Sequence, residues 1–209
     1  MPELYIITGS NGAGKSSVGP DYLPEHIRGQ YSVFDGDLLF VNKQRELFPK
    51  VTPSPKEAKK LAFQYVIDTF EQLTADALAH DQTFVYEGHF TNHATWDTPK
   101  KFKAAGYHVN LTFFGLSDPD LSQLRVTDRV IEGGHFVDRL TIEANFSGNL
   151  EMLNIYFPLI DHLTIVDTSE IQHVTLAVLT SGTLVSAIPS TALPAWFKHY
   201  LPAIAALIP

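Results

Sequence analysis

The sequence predicts an α/β domain with a mostly parallel, five-stranded sheet core and helices on both faces. Short apolar runs alternate with longer segments of helical period between residues 4 and 167, the pattern of strand–helix–strand units. A polar residue follows each run: Ser10, Asp37, Glu87, Ser117 and Asp167. In an open parallel sheet such residues collect at the carboxyl ends of the strands, where ligands lie. A length of 209 residues, with 44% hydrophobic and 18% charged, suits a single domain over 1–209 and is too short for two.

Residues 4–8 form an apolar run bounded by glycine and read as the first buried strand. A helix is expected from Lys15. Residues 31–34 read as the second strand, ending in the polar turn Asp35-Gly36-Asp37. Ser54-Pro55-Lys56-Glu57 begins a helix: Ser54 can cap it, Pro55 suits its first position, and Glu57 can reach back to the cap. Ala58, Leu61, Ala62, Tyr65, Thr69, Phe70, Leu73 and Ala77 then recur at helical spacing. Residues 83–86 read as the third strand, 98–105 as a helix stopped by Gly106, and 109–114 as the fourth strand. Ser117 or Asp118 caps the next helix, which runs to Glu132 and ends at Gly133-Gly134. The fifth strand is expected at 163–166. A strand or hairpin at 175–179 and 183–188 follows, then an apolar tail broken by Pro194 and Pro202, read as a docking segment with a short helix.

Composition narrows the partners. The formal net charge is −8, which disfavours nucleic acid, whose binders present a basic face. There is no cysteine, so neither a disulfide nor a thiolate metal site is expected. The first ten residues lack the features of a secretory leader, and no apolar stretch has the length of a membrane span. A cytoplasmic protein is expected, without a membrane partner.

Gly9-Ser10-Asn11-Gly12-Ala13-Gly14-Lys15-Ser16 fits G-x-x-x-x-G-K-[ST] between a strand and a helix, the context that makes this motif a phosphate loop. The glycines let successive N–H groups turn inward onto phosphates, and the helix adds its positive end. Lys15 is placed to reach the β- and γ-phosphates of ATP or GTP, Ser16 to ligate Mg²⁺, and Ser17 to extend the nucleotide-binding set. The fold is therefore read more narrowly as a P-loop NTPase of kinase-like type.

Asp37, with Asp35 second, stands where a carboxylate could accept the proton of an acceptor hydroxyl; a solvated turn is the plain alternative. Glu87 closes Phe84-Val85-Tyr86-Glu87-Gly88. There it could hold Mg²⁺ through water, bind the acceptor, or merely end the strand. Arg125 and Arg129 share a helix face and, with His135 beyond the diglycine, could serve a lid at about 117–146 that neutralises phosphoryl charge. Alternatively they pair with Asp128 and Glu132 on an ordinary exposed helix. His89 and His93 have helical metal spacing, but no carboxylate or cysteine completes a set.

These residues together resemble the zeta-toxin-like kinases, in particular a short bacterial branch also labelled predicted ABC-type ATPases. The pattern spans residues 5–169. It comprises the phosphate loop, Asp37, Glu87, Ala105-Gly106-Tyr107 before a strand, and Asp167-Thr168-Ser169 after one. Its most specific part is Arg125-Val126-Thr127-Asp128-Arg129-Val130-Ile131-Glu132-Gly133-Gly134-His135-Phe136-Val137. The resemblance implies a kinase whose acceptor is a hydroxyl of a nucleotide sugar such as UDP-N-acetylglucosamine. It also implies Asp37 as base, Lys15, Ser16 and Arg129 on phosphate and metal, Glu87 on the acceptor side, and an antitoxin as protein partner; His89, two residues on, is a further candidate for the acceptor side. Two departures stand out. The branch carries Arg-Arg-Tyr or Arg-Tyr where this chain has Ala144-Asn145-Phe146, and Glu-Thr-Thr-Leu-Ser where it has Glu87-Gly88-His89-Phe90-Thr91. His135 can replace part of the missing charge in a pH-dependent way. A kinase for another small hydroxyl substrate, and an ATPase or nucleotide switch without transfer, remain open at this point.

Overall fold

The computed structural model describes residues 1–131 and 136–209. Strands β1 (Glu3–Gly9), β2 (Phe34–Asp35), β3 (Phe84–Gly88), β4 (His108–Gly115) and β5 (His162–Asp167) are parallel, in the order β2-β3-β1-β4-β5. The hairpin forms as β6 (Val174–Thr180) and β7 (Thr183–Ala187) and adds two antiparallel strands beyond β5. The sheet thus has seven strands, of which the parallel five are those read from the sequence. β1 lies between β3 and β4. Its residues Leu4, Tyr5, Ile6 and Ile7 are all buried, as an unbroken apolar run must be in a strand covered on both faces.

Three local expectations need correction. The helix from Lys15 is a single turn, α1 (Lys15–Val18), followed by a 3₁₀ turn Gly19–Tyr22. Pro20 has no N–H to continue it, and its ring would strike the carbonyl four residues back. The second strand is only Phe34–Asp35. Asp35-Gly36-Asp37 is not a solvated turn but the start of α2 (Gly36–Leu47), with the Asp35 carboxylate accepting from Leu38 N at 2.9 Å.

The longer helices show how capping fixes boundaries. In α3 (Pro55–Ala79), Ser54 Oγ accepts from Glu57 N at 3.3 Å. Glu57 does not reach back to Ser54; it accepts from the Thr52 hydroxyl at 2.6 Å, and Ser54 N donates to that hydroxyl at 3.2 Å. The capping box is closed through Thr52. The buried stripe of α3 is narrower than its apolar period suggests: Ala58, Ala62 and Ala77 are buried, while Leu61, Tyr65 and Leu73 are at least 40% exposed. α4 (Asp97–Ala104) ends before Gly106, whose φ of +87° suits only glycine at low cost. Asp118, rather than Ser117, caps α5 (Pro119–Ile131), accepting from Leu121 N at 2.8 Å. α6 (Arg139–Tyr156) was not expected. Asp138 caps it, and Ile142, Phe146, Asn149, Leu150 and Leu153 form its buried face.

The tail docks as expected, through α7 (Ala195–Tyr200) and α8 (Pro202–Ala205). Trp196, Phe197, Leu201 and Ile204 are buried. Trp196 lies against Gly115, where any Cβ would collide with the indole ring. Among the described residues no helix is long and apolar enough to cross a membrane. Replacing a buried tryptophan leaves a void that close-packed neighbours fill only partly. Trp196→Ala is therefore expected to destabilise the protein by about 3–5 kcal/mol, read as a lower urea midpoint.

Candidate functional site

The phosphate loop joins β1 to α1 at the carboxyl edge of the sheet. At Gly9, with φ +142°, a Cβ would strike the Phe114 carbonyl of the adjacent β4. Gly12 (φ +71°) turns beside Arg125, and Gly14 (φ +89°) precedes α1.

The loop's carbonyls are engaged by side chains from several elements. Lys15 Nζ donates to Gly9 O at 3.1 Å and to Ser10 O at 3.0 Å. Ser122 Oγ donates to Asn11 O at 2.6 Å, Arg125 Nη1 to Gly12 O at 3.4 Å, and Thr168 Oγ1 to Ala13 O at 3.0 Å. Asn145 Nδ2 holds the Asn11 side chain, donating to Oδ1 at 2.8 Å. With these C=O groups engaged and Ala13 N donating to Ser10 O at 3.3 Å, the first amides of α1 are left for an anion.

These elements wall a cavity of about 750 Å³. From the loop come Asn11, Gly12, Gly14, Lys15, Ser16 and Ser17; from the ends of β2 and β3, Asp35 and Glu87; from the first turn of α2, Asp37; from α5, Arg125 and Arg129. Gly9, Ser10 and Ala13 shape the loop without lining the cavity, and the Ser10 and Ala13 side chains are buried.

Charge is concentrated here at some energetic cost. Lys15 is 7% exposed. Burial lowers its pKa, against the attraction of Glu87, Asp37 and Asp35 and alongside repulsion from Arg129. Glu87 shifts upward: burial leads, Asp35 and Asp37 add to it, and Lys15 and the Ser16 hydroxyl oppose it. Ser16 Oγ donates to Glu87 Oε1 at 3.0 Å. For both groups desolvation outweighs mutual attraction. An oxygen-only set of hydroxyl and carboxylates beside the phosphate loop suits a hard cation such as Mg²⁺, which takes few protein ligands and keeps water and phosphate oxygens. Among the described residues no group of three or more His, Cys, Asp or Glu is placed to hold a metal.

The structure sorts the remaining expectations. Arg125 does not pair with Asp128; its Nη2 donates to Ser169 O at 2.8 Å, bracing the loop after β5. Arg129 is exposed, lines the cavity, and acts electrostatically on Lys15 and His89. His89 is not part of the cavity wall. It lies behind the loop, with Nδ1 3.2 Å from Asn149 Nδ2. Burial first, then Lys15 and Arg129, hold its pKa well below the usual histidine value, although the Gly9 carbonyl partly counters them. His89 is thus a half-buried group, set off the cavity wall, whose charged form is disfavoured. His135, the diglycine and the pairing of Arg129 with Glu132 lie outside the described residues. The sequence reading missed Leu38, Val41, Gln44 and Arg45, which line the cavity from α2, and Phe48 just past its end. It noted Asn145 only as the place of an absent cation and missed Asn149; these two residues of α6 reach the loop and the β3 end.

A family profile for Zeta toxin matches residues 1–175. The chain belongs to the zeta toxin family. Among solved structures it is similar to a chain of the AvrRxo1-ORF1:AvrRxo1-ORF2 complex with sulphate ions. That match has a TM-score of 0.71 and 15% identity and covers 96% of this chain and 64% of the other. The same complex with ATP gives a TM-score of 0.70, 15% identity and the same coverage. The PezAT chromosomal toxin-antitoxin system of Streptococcus pneumoniae gives 0.54 at 19% identity, covering 83% of this chain and 72% of the other. This chain therefore spans a little under two thirds of the AvrRxo1 chain it matches. No curated protein sequence matches it. At these identities the likeness establishes the fold, a P-loop kinase-like sheet.

The upward shift of Glu87 fixes a pH dependence. A carboxyl whose folded pKa exceeds its unfolded one contributes most to stability below the unfolded value, and loses that contribution as pH rises through the folded one. Glu87→Gln, which removes the titration, is expected to be more stable than the wild type at about pH 7.5. The gap should close toward about pH 4, where the unfolded carboxyl is also protonated. Urea denaturation at the two pH values checks this.

Proposed function

We propose that this zeta-toxin-family chain is a kinase that transfers the γ-phosphate of ATP to a hydroxyl of a nucleotide sugar such as UDP-N-acetylglucosamine. The observation that carries the reading is one cavity holding an anion cradle, a lysine, an arginine and a carboxylate placed as a base: the loop amides, Lys15, Arg129 and Asp37. ATP rather than GTP is taken as donor because one similar structure was solved with ATP. The similarity to toxin-antitoxin structures favours an antitoxin as protein partner.

In this reading the loop amides and Lys15 hold the β- and γ-phosphates. Their negative charge replaces the solvation that Lys15 lost on burial. Ser16, seconded by Glu87, would hold Mg²⁺, which when bound neutralises charge on the β- and γ-oxygens. Asp37, in the first turn of α2, accepts the proton of the acceptor hydroxyl. The acceptor oxygen then bonds to the γ-phosphorus as the bond to the β–γ bridging oxygen breaks, and ADP leaves with that electron pair. Arg129 reaches the equatorial oxygens, where charge is greatest in the transition state.

The test is a mass-spectrometric assay with purified protein, Mg²⁺, ATP and UDP-N-acetylglucosamine. A gain of one phosphoryl group on the sugar nucleotide is expected. Asp37→Asn should abolish that gain while nucleotide binding persists, and Lys15→Ala should remove both. Arg129→Ala should lower kcat by about 10³-fold or more with a smaller effect on nucleotide affinity. ATP consumption without phosphorylated acceptor would overturn the assignment.

A further inference from the structure

Helix α2 gives the cavity a second, chemically distinct wall. Asp37, Leu38, Val41, Gln44, Arg45 and Phe48 all line it. At 3.6 residues per turn the five positions within α2 fall within an arc of about 120°, so one face of a single helix bounds the cavity along its length, with Phe48 just past its end. That face is not core: α2 buries no residue, Leu38 is 58% exposed and Phe48 39% exposed.

The charges on this wall are arranged end to end. Asp37 stands at the N-terminal end of α2, near Asp35 and Glu87. Arg45 stands eight residues on, about 12 Å along the axis at 1.5 Å per residue. The other cavity cations, Lys15, Arg125 and Arg129, belong to the phosphate loop and α5. Lys43, also on α2, is engaged by Glu46 at 3.0 Å and by the Tyr65 ring. Arg45 makes no ion pair among the described residues. An acceptor with its hydroxyl at Asp37 meets three carboxylates there, which repel any anionic group it carries. At the far end a guanidinium, which matches phosphate oxygens in pairs, and the Phe48 ring face the same space.

We propose that the inner face of α2 is the acceptor subsite. Arg45 is its specificity determinant and selects acceptors bearing a phosphate group within about two helical turns of the reacting hydroxyl. The inference rests on the kinase reading above and deepens it. Asp37 and Arg45 on one rigid helix fix both the direction in which the acceptor lies and the spacing between its hydroxyl and its phosphate. A neutral sugar satisfies only the Asp37 end.

The experiment separates this subsite from the phosphate loop. Protein saturated with Mg²⁺ and AMP-PNP is titrated calorimetrically with UDP and with uridine. UDP is expected to bind, with an affinity that falls as salt rises. Arg45→Gln should weaken UDP binding about tenfold or more, Arg45→Lys should restore part of it, and uridine should not distinguish the three proteins. In turnover, Arg45→Gln should raise the KM for UDP-N-acetylglucosamine by a similar factor with little change in kcat. Equal UDP affinity in wild type and Arg45→Gln, or no UDP binding to the AMP-PNP-saturated wild type, overturns the proposal. So does a parallel loss of AMP-PNP affinity in Arg45→Gln, since that would place Arg45 on the donor. If UDP binding depends on Arg45 but UDP-N-acetylglucosamine gains no phosphate, the subsite stands and the kinase reading loses its acceptor. If transfer occurs with KM and UDP affinity insensitive to Arg45, the kinase reading stands and the subsite falls.

Discussion

Everything at the site depends on the phosphate loop being held by its carbonyls. A glycine-rich turn has little reason of its own to keep its amides on one side, since each of its peptides can rotate at small cost. Here donors on four elements engage it: Lys15 from α1, Ser122 and Arg125 from α5, Asn145 from α6 and Thr168 after β5. Each bond is modest, about 1 kcal/mol net, but together they leave one orientation of the loop. Gly9 adds a steric term, because β4 passes too close for any side chain there. The cradle is therefore preorganised, and an incoming phosphate does not have to order it.

The same economy explains the unfavourable charges. Lys15 and Glu87 are both shifted toward their neutral forms by burial, in spite of facing each other. A fold selected only for stability would not retain such a pair. It is understandable where a polyanion and a cation complete the site, since bringing opposite charge to each group offsets the desolvation already incurred on folding. The lowered pKa of His89 fits this picture, since a charge there would repel Lys15.

Much of this was legible in the sequence. The five parallel strands, the loop and the acids at the strand ends follow from apolar runs and a motif whose spacing is dictated by phosphate geometry. The short α1 was also readable in principle, since Gly19-Pro20 sits in the right place to stop it. α2 was not, because it is amphipathic only weakly and buries nothing; its inner face borders a cavity instead of a core, so no apolar stripe marks it. Without α2, Arg45 and Phe48 had no place in the site. α6 did carry a helical period, through Ile142, Phe146, Leu150 and Leu153. Asn149 at a core position and Gly148 beside Thr91 obscured it. Both irregularities are functional in the physical sense, one supplying hydrogen bonds and the other permitting close approach. The contact made by Asn145 was hidden for a related reason, since only the tertiary structure brings it to Asn11.

α6 acts as a gauge block. Asn145 holds Asn11 of the phosphate loop at 2.8 Å. One turn later Asn149 accepts from Phe90 N at 2.6 Å, just past the end of β3. Its Nδ2 also donates back to the Asn145 carbonyl at 2.5 Å. Two loops that belong to different strands are thus measured from neighbouring turns of the same rod. Their separation inherits the stiffness of a helix, where it would otherwise accumulate the slack of two independent turns.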